Sequence, residues 1–262
     1  MECNRIYRTE LYKMCKRKLN FILFIPSLLA LIITVAYSTG NLYISQVGQT
    51  DQIIFSCIDF LSFIWMFISG TGIYAVLIIL VTSFQFCSEI EQGQIKLMLL
   101  RVGKRIHIII GKLLALLTFI VSSIILFIST TIMSYYVFLA PSEMGNGEFE
   151  TTSLSTNGLL FSIGATILSF IILILITYLV GIKFTPFMSF ILSFIIMLIV
   201  KSMIQMPALS LMKYTTFSME SQLMNYLAIE NITLVRFGVM TSLTIALLFI
   251  SISYCFNKVD IK

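Results

Sequence analysis

Charge is missing from six long stretches of this chain, and that pattern limits what it can fold into. No Asp, Glu, Lys or Arg occurs between Lys18 and Asp51, Asp59 and Glu89, Lys112 and Glu143, Glu150 and Lys183, Lys183 and Lys201, or Arg236 and Lys258. Each interval is apolar and long enough to cross a hydrocarbon core of roughly 30 Å as a helix rising about 1.5 Å per residue. The runs are continuously apolar and do not alternate, which argues against the strands of a membrane barrel. The pattern predicts an all-α membrane protein with six transmembrane helices, near residues 20–38, 60–83, 108–137, 159–182, 184–206 and 233–256.

Composition supports lipid as the main solvent. Of 262 residues, 58% are hydrophobic and 11% are charged, whereas a soluble domain carries about 25% charged residues. Residues 1–262 therefore read as a single transmembrane domain, with no length left for a soluble catalytic domain. The first apolar run reads as a retained span, since Ser38, Thr39 and Gly40 make no convincing cleavage site.

Orientation follows from the basic residues. Fourteen of the 17 Lys and Arg fall before the first span, between the second and third, between the fourth and fifth, or after the sixth. The positive-inside rule then places both termini in the cytoplasm and the protein in a cell membrane as a multi-pass chain. The five cysteines form no CxxC pair and no zinc-type spacing, so neither a disulfide framework nor a metal site is expected. Nothing in the chain points to nucleic acid.

Two segments outside the spans carry pattern. In residues 1–19, Cys3, Tyr7, Leu11, Met14 and Lys18 share a helical face, with Arg5, Arg8, Lys13, Lys16 and Arg17 around the rest. That describes either a basic amphipathic helix lying in the membrane interface or a plain positive-inside anchor. After the second span, residues 88–100 read as a short amphipathic helix. Ser88 and Glu91 match a capping box, Ile90, Ile95, Met98 and Leu99 give an apolar face, and Arg101, Lys104 and Arg105 follow its C-terminal end.

Residue by residue, bland and functional readings stand side by side. His107 reads as a structural residue at the edge of span three. Asp59 reads as a polar cap on a helix start. Lys201 either snorkels to the outer interface or meets an anionic lipid or substrate group. Met66, Met188 and Met197 could line a pliable substrate path together with Lys201, or simply fill the core. The spans carry no mid-membrane carboxylate of the kind ion-coupled pumps use, and the chain has no P-loop, HExxH or GxSxG. ATP hydrolysis or other catalysis by this chain is therefore not expected.

The run containing Glu89, Glu91, Gly93, Leu99, Leu100 and Arg105, followed by Gly111-Lys112-Leu113-Leu114, resembles the loop between spans two and three of type 2 ATP-binding-cassette (ABC) exporter permeases. In that family an acidic residue, Gly-Thr, a Leu pair and a basic residue precede a Gly-Lys; here Gln94 stands in place of Thr. The resemblance implies that Glu89, Glu91, Gly93, Ile95, Leu99 and Arg105 belong to a coupling helix that docks on a separate ATPase. It further implies two ATPase copies carrying ATP and Mg, a second permease copy or paralogue, and contact with membrane lipid. Residues 207–232 would form a re-entrant segment on the outer side. The expected activity is export of a hydrophobic or amphipathic substrate, such as a peptide antibiotic, a lipid or a drug, in a bacterial cytoplasmic membrane. The branch suggested is bacteriocin or peptide-antibiotic export, immunity or resistance. The alternative is a non-transporting accessory or sensor subunit that binds a partner protein, with an intramembrane enzyme third.

Overall fold

Apolar helices account for the architecture. A computed structural model describes residues 2–42, 54–95, 98, 105–150, 156–204, 217–218 and 231–258, and among these there is no β-strand. Six helices are long and apolar enough to cross a membrane: Lys18–Ser38, Ile73–Glu91, Ile106–Leu139, Thr156–Gly181, Pro186–Met203 and Val235–Phe256. The chain therefore has the fold of a six-span, all-α, multi-pass membrane protein.

In chain order the elements are α1 (Glu2–Lys16), a 3-10 helical stretch (Lys18–Phe24) leading into α2 (Ile25–Ser38), α3 (Cys57–Thr71) and α4 (Ile73–Thr82). A π-helical turn (Ser83–Cys87) then leads into α5 (Ser88–Glu91). After these come α6 (Arg105–Ser134), α7 (Thr156–Gly181), α8 (Pro186–Ile204) and α9 (Asn231–Lys258). Residues 207–232, expected to be re-entrant, lie almost wholly outside the described residues.

Five spans fall within a few residues of their expected bounds, and the second does not. The apolar run expected as one helix over 60–83 is broken at Gly72, whose φ of 78° is the left-handed conformation that ends a helix. Above the break, α3 has 15 residues and is too short to span alone. Below it, the span-length helix runs from Ile73 to Glu91. The helix runs past the expected end at residue 83 because Glu89, a charge of the kind that ordinarily ends a span, lies inside the bundle with its carboxylate paired.

The start of α3 is capped locally. Ser56 Oγ accepts from the Asp59 backbone N–H at 3.2 Å and donates to Asp59 Oδ2 at 2.7 Å. Asp59 thus sits in the first turn, where a negative group is favoured.

The break at Gly72 explains Lys201. A helix ending inside a bilayer leaves carbonyls without donors, and a lysine there lacks acceptors. Lys201 Nζ lies 3.4 Å from the carbonyl oxygens of both Ser69 and Gly70. Each group supplies what the other needs, and the ammonium sits at the negative end of the α3 dipole.

The centre of the bundle is formed by α4, α5 and α7. Within their most apolar stretches, 61% of residues are buried, against 22% for α8 and 17% for α9, which lie at the periphery. Aromatic side chains fill the centre. Trp65, Tyr74 and Phe127 meet pairwise, and Tyr74 also meets Phe170. At the end far from α1, Tyr135 donates to the Phe55 carbonyl at 2.8 Å. Backbone bonds from Phe55, Cys57 and Ile58 to Met144, Glu148 and Phe149 strap the loop of residues 140–150 onto the start of α3.

Candidate functional site

The other end of the bundle holds the most concentrated chemistry. Ile6, Glu10 and Met14 recur every four residues, so they share one side of α1, and all three are buried. The buried stripe is thus rotated by about one residue from the face expected through Cys3, Tyr7 and Leu11. It is also covered by α6, so α1 does not offer its apolar side to lipid as an interfacial helix would.

Gly111 makes this close approach possible. A Cβ built there would lie 2.7 Å from Ile6 Cγ2 and 3.1 Å from Ile6 Cβ, so with Ile6 in place a larger residue at 111 forces Ile6 or α1 to shift. The next residue, Lys112, is 1% exposed and reaches into a cluster of charges.

Lys112 Nζ donates to Glu10 Oε2 at 2.8 Å and to Glu89 Oε2. Lys13 Nζ lies 2.9 Å from Glu10 Oε1 and 3.6 Å from Glu89 Oε1, and Arg17 Nη2 lies 2.8 Å from Glu89 Oε1. Both carboxylates are fully buried, while the Lys13 and Arg17 side chains remain about one-third exposed. Two buried anions therefore share one buried cation and are completed by two cations from the rim.

Burial alone would raise the Glu10 carboxyl, but attraction and hydrogen bonding from Lys112, joined by Lys13, outweigh it and hold the group below its ordinary value of 4.5. Three parts of the chain are joined here: α1, the end of span two and the start of span three.

Nearby packing fixes the geometry. Asn20, itself buried, donates to the Met14 carbonyl at 2.9 Å and closes the last turn of α1. The π-helical turn at Ser83–Cys87 immediately precedes α5 and sets the rotation at which Glu89 points inward. Phe86 in that turn stacks on Tyr178 with ring centroids 4.1 Å apart, and Gly181 faces Cys87 so closely that a Cβ could not fit.

The predicted coupling residues divide between two environments. Glu89 and Ile95 are buried, whereas Glu91 is exposed, as is its neighbour Gln92, which was not among them. Gly93, with φ of 69°, stands at a turn that interrupts the helix expected over 88–100. The capping box is absent as well. Ser88 lies within continuous helix, and its hydroxyl donates to the Phe84 carbonyl instead of capping a helix start. Leu99 lies outside the described residues; Arg105 begins α6.

Of the residues suggested for a substrate path, Met197 and Lys201 come together at Gly72, within 3.9 Å and 3.6 Å of a Cβ built there. Met66 and Met188 lie apart from them on exposed surfaces. His107 is half-buried in the first turn of α6.

Sequence reasoning passed over Glu10. The available signal was its position, four residues from both Ile6 and Met14 in a helix otherwise rich in Lys and Arg: an acid on an apolar face needs a buried cation. The chain matches no protein-family model, and no curated protein is significantly similar to it.

Proposed function

We propose that the chain is the membrane subunit of an ABC exporter, paired with a second permease copy or paralogue and driven by two copies of a separate ATPase subunit carrying ATP and Mg. One observation supports this reading best: the last turn of span two, from which the expected coupling segment leads on, is fastened into the bundle through Glu89, which pairs with Lys112 of span three and Arg17 beside α1. A loop hanging free would absorb a push. A loop that continues directly from a helix end ion-paired to two neighbouring elements passes that push to the spans.

In this reading Glu91 and Gln92, exposed beyond the joint, face the ATPase, while Glu89 transmits its movement. The basic end, with both termini, faces the cytoplasm of a bacterial cell. The cargo is hydrophobic or amphipathic, as suits spans rich in Phe, Met and Ile, and export of a peptide antibiotic with self-protection is the role favoured.

The test is affinity purification of the chain from its native membranes, followed by ATP-dependent transport in vesicles. An ATPase subunit is expected to co-purify, and Glu91→Lys with Gly93→Pro to abolish its binding and transport together. If no ATPase associates, or if that double variant binds and transports like the parent, the reading fails.

A further inference from the structure

α1 has a second face that the bundle leaves unused. Arg5, Arg8, Tyr12 and Lys16 follow one another at spacings of three and four residues and are all exposed, and Lys18, also exposed, lies just beyond the helix end. Glu10 is turned inward, so no described acidic side chain of α1 interrupts this surface. The Lys16 ammonium lies 5.6 Å from the centre of the exposed Tyr12 ring.

The face also has a defined level in the molecule. Ile6 rests on Gly111, close to where the third span begins at Ile106, and α1 ends just before the first span begins at Lys18. By the length and hydropathy of those helices, the cations fall where two spans would enter a bilayer, at the level of its headgroups. Most helices that bind a membrane surface insert an apolar side. Here that side is already occupied by α6, which leaves charge as the means of attachment.

We propose that the outward face of α1 is a binding surface for anionic phospholipid headgroups, held by charge and without insertion of the helix. Arg5 and Arg8, one turn apart, can bracket a phosphate with paired N–H donors. Tyr12 is the aromatic type found at headgroup level, with an apolar ring and a polar tip. The level of the face selects lipid over an acidic protein as its occupant. This binding does not depend on the exporter reading.

The test uses purified full-length protein in detergent, titrated with phosphatidylglycerol or phosphatidylcholine and read by native mass spectrometry. Phosphatidylglycerol is expected to stay bound where phosphatidylcholine does not, with retention falling as salt is added. The triple variant Arg5→Gln, Arg8→Gln, Lys16→Gln is expected to bind about tenfold or more weakly, and Arg5→Lys with Arg8→Lys to retain most of the binding. Cysteines placed by Ile6→Cys and Gly111→Cys and oxidised to a disulfide should pin α1 to α6 and leave lipid binding intact. Binding that ignores salt, survives the triple variant or is lost on cross-linking overturns the proposal. So does a triple variant that loses a protein partner while lipid binding is unchanged.

Discussion

Lys112 is the residue on which the charge cluster depends, because it is the only cation in it that is fully buried. Its removal leaves two carboxylates facing an apolar interior with only the partly exposed Lys13 and Arg17 at the rim as partners. Lys112→Met is therefore expected to destabilise the protein by about 3–5 kcal/mol, the usual cost of orphaning a buried charge. Glu10→Gln with Glu89→Gln in the same chain should recover much of that loss, because Lys13 and Arg17 can turn to water. Thermal melts of the purified variants check both. Acid adds a separate test. The Glu10 carboxyl is held below 4.5 in the folded protein, so its contribution is fully present above 4.5 and is lost as pH falls through the lower folded value. The melting temperature should fall over that acid range, and Glu10→Gln should flatten this limb; an unchanged slope would show that Glu10 does not carry it.

At the scale of elements, close approach is set by glycines as much as by apolar side chains. Gly111→Ala drives a Cβ into Ile6 and is expected to cost about 1–3 kcal/mol, while Ile6→Ala leaves a gap and costs about 2–5 kcal/mol. Combined, they should cost less than their sum by about 1 kcal/mol, since the small side chain at 6 makes room for the methyl at 111. Strict additivity in a double-mutant cycle would mean that α1 does not rest on Gly111. The same local details decide what could be read from the sequence. Spans one and three to six were legible because long apolar runs were bounded by charges. The second is not, because a glycine breaks its apolar run from within and an ion-paired carboxylate lies inside the bundle where charge would ordinarily mark the end of a span. Gly111 and Lys112 could be picked out as a motif, but their roles could not, since Ile6 and Glu10 lie far away in sequence and meet them only after folding. Lys201 is similar: its acceptors exist only because α3 stops at Gly72.

For the whole molecule, the two ends differ in kind, and that difference makes topology testable without reference to function. One end gathers α1 and the buried charges; the other is strapped by backbone bonds between the start of α3 and residues 144–149. Between Cys15, exposed on α1, and Glu148, exposed in the strapped loop, the chain passes through three span-length helices. An odd number of crossings puts the two positions on opposite sides of the membrane whichever way the protein is inserted. The native cysteines lend themselves to the experiment, because Cys57 and Cys87 are buried; Cys3 and Cys255 would be replaced by Ser. With Glu148→Cys added, a membrane-impermeant maleimide is expected to reach position 148 in intact cells and Cys15 only after permeabilisation. The reverse pattern would keep the six spans and invert the orientation, and with it the placement of the coupling segment. Labelling of both positions from one side would instead refute the odd count and mean that one of the three helices does not cross, or that the apolar run of α3, α4 and α5, broken at Gly72, crosses twice. Basic residues crowd the end with α1 and acidic Glu143, Glu148 and Glu150 occupy the loop at the other, so the positive-inside bias favours the first outcome.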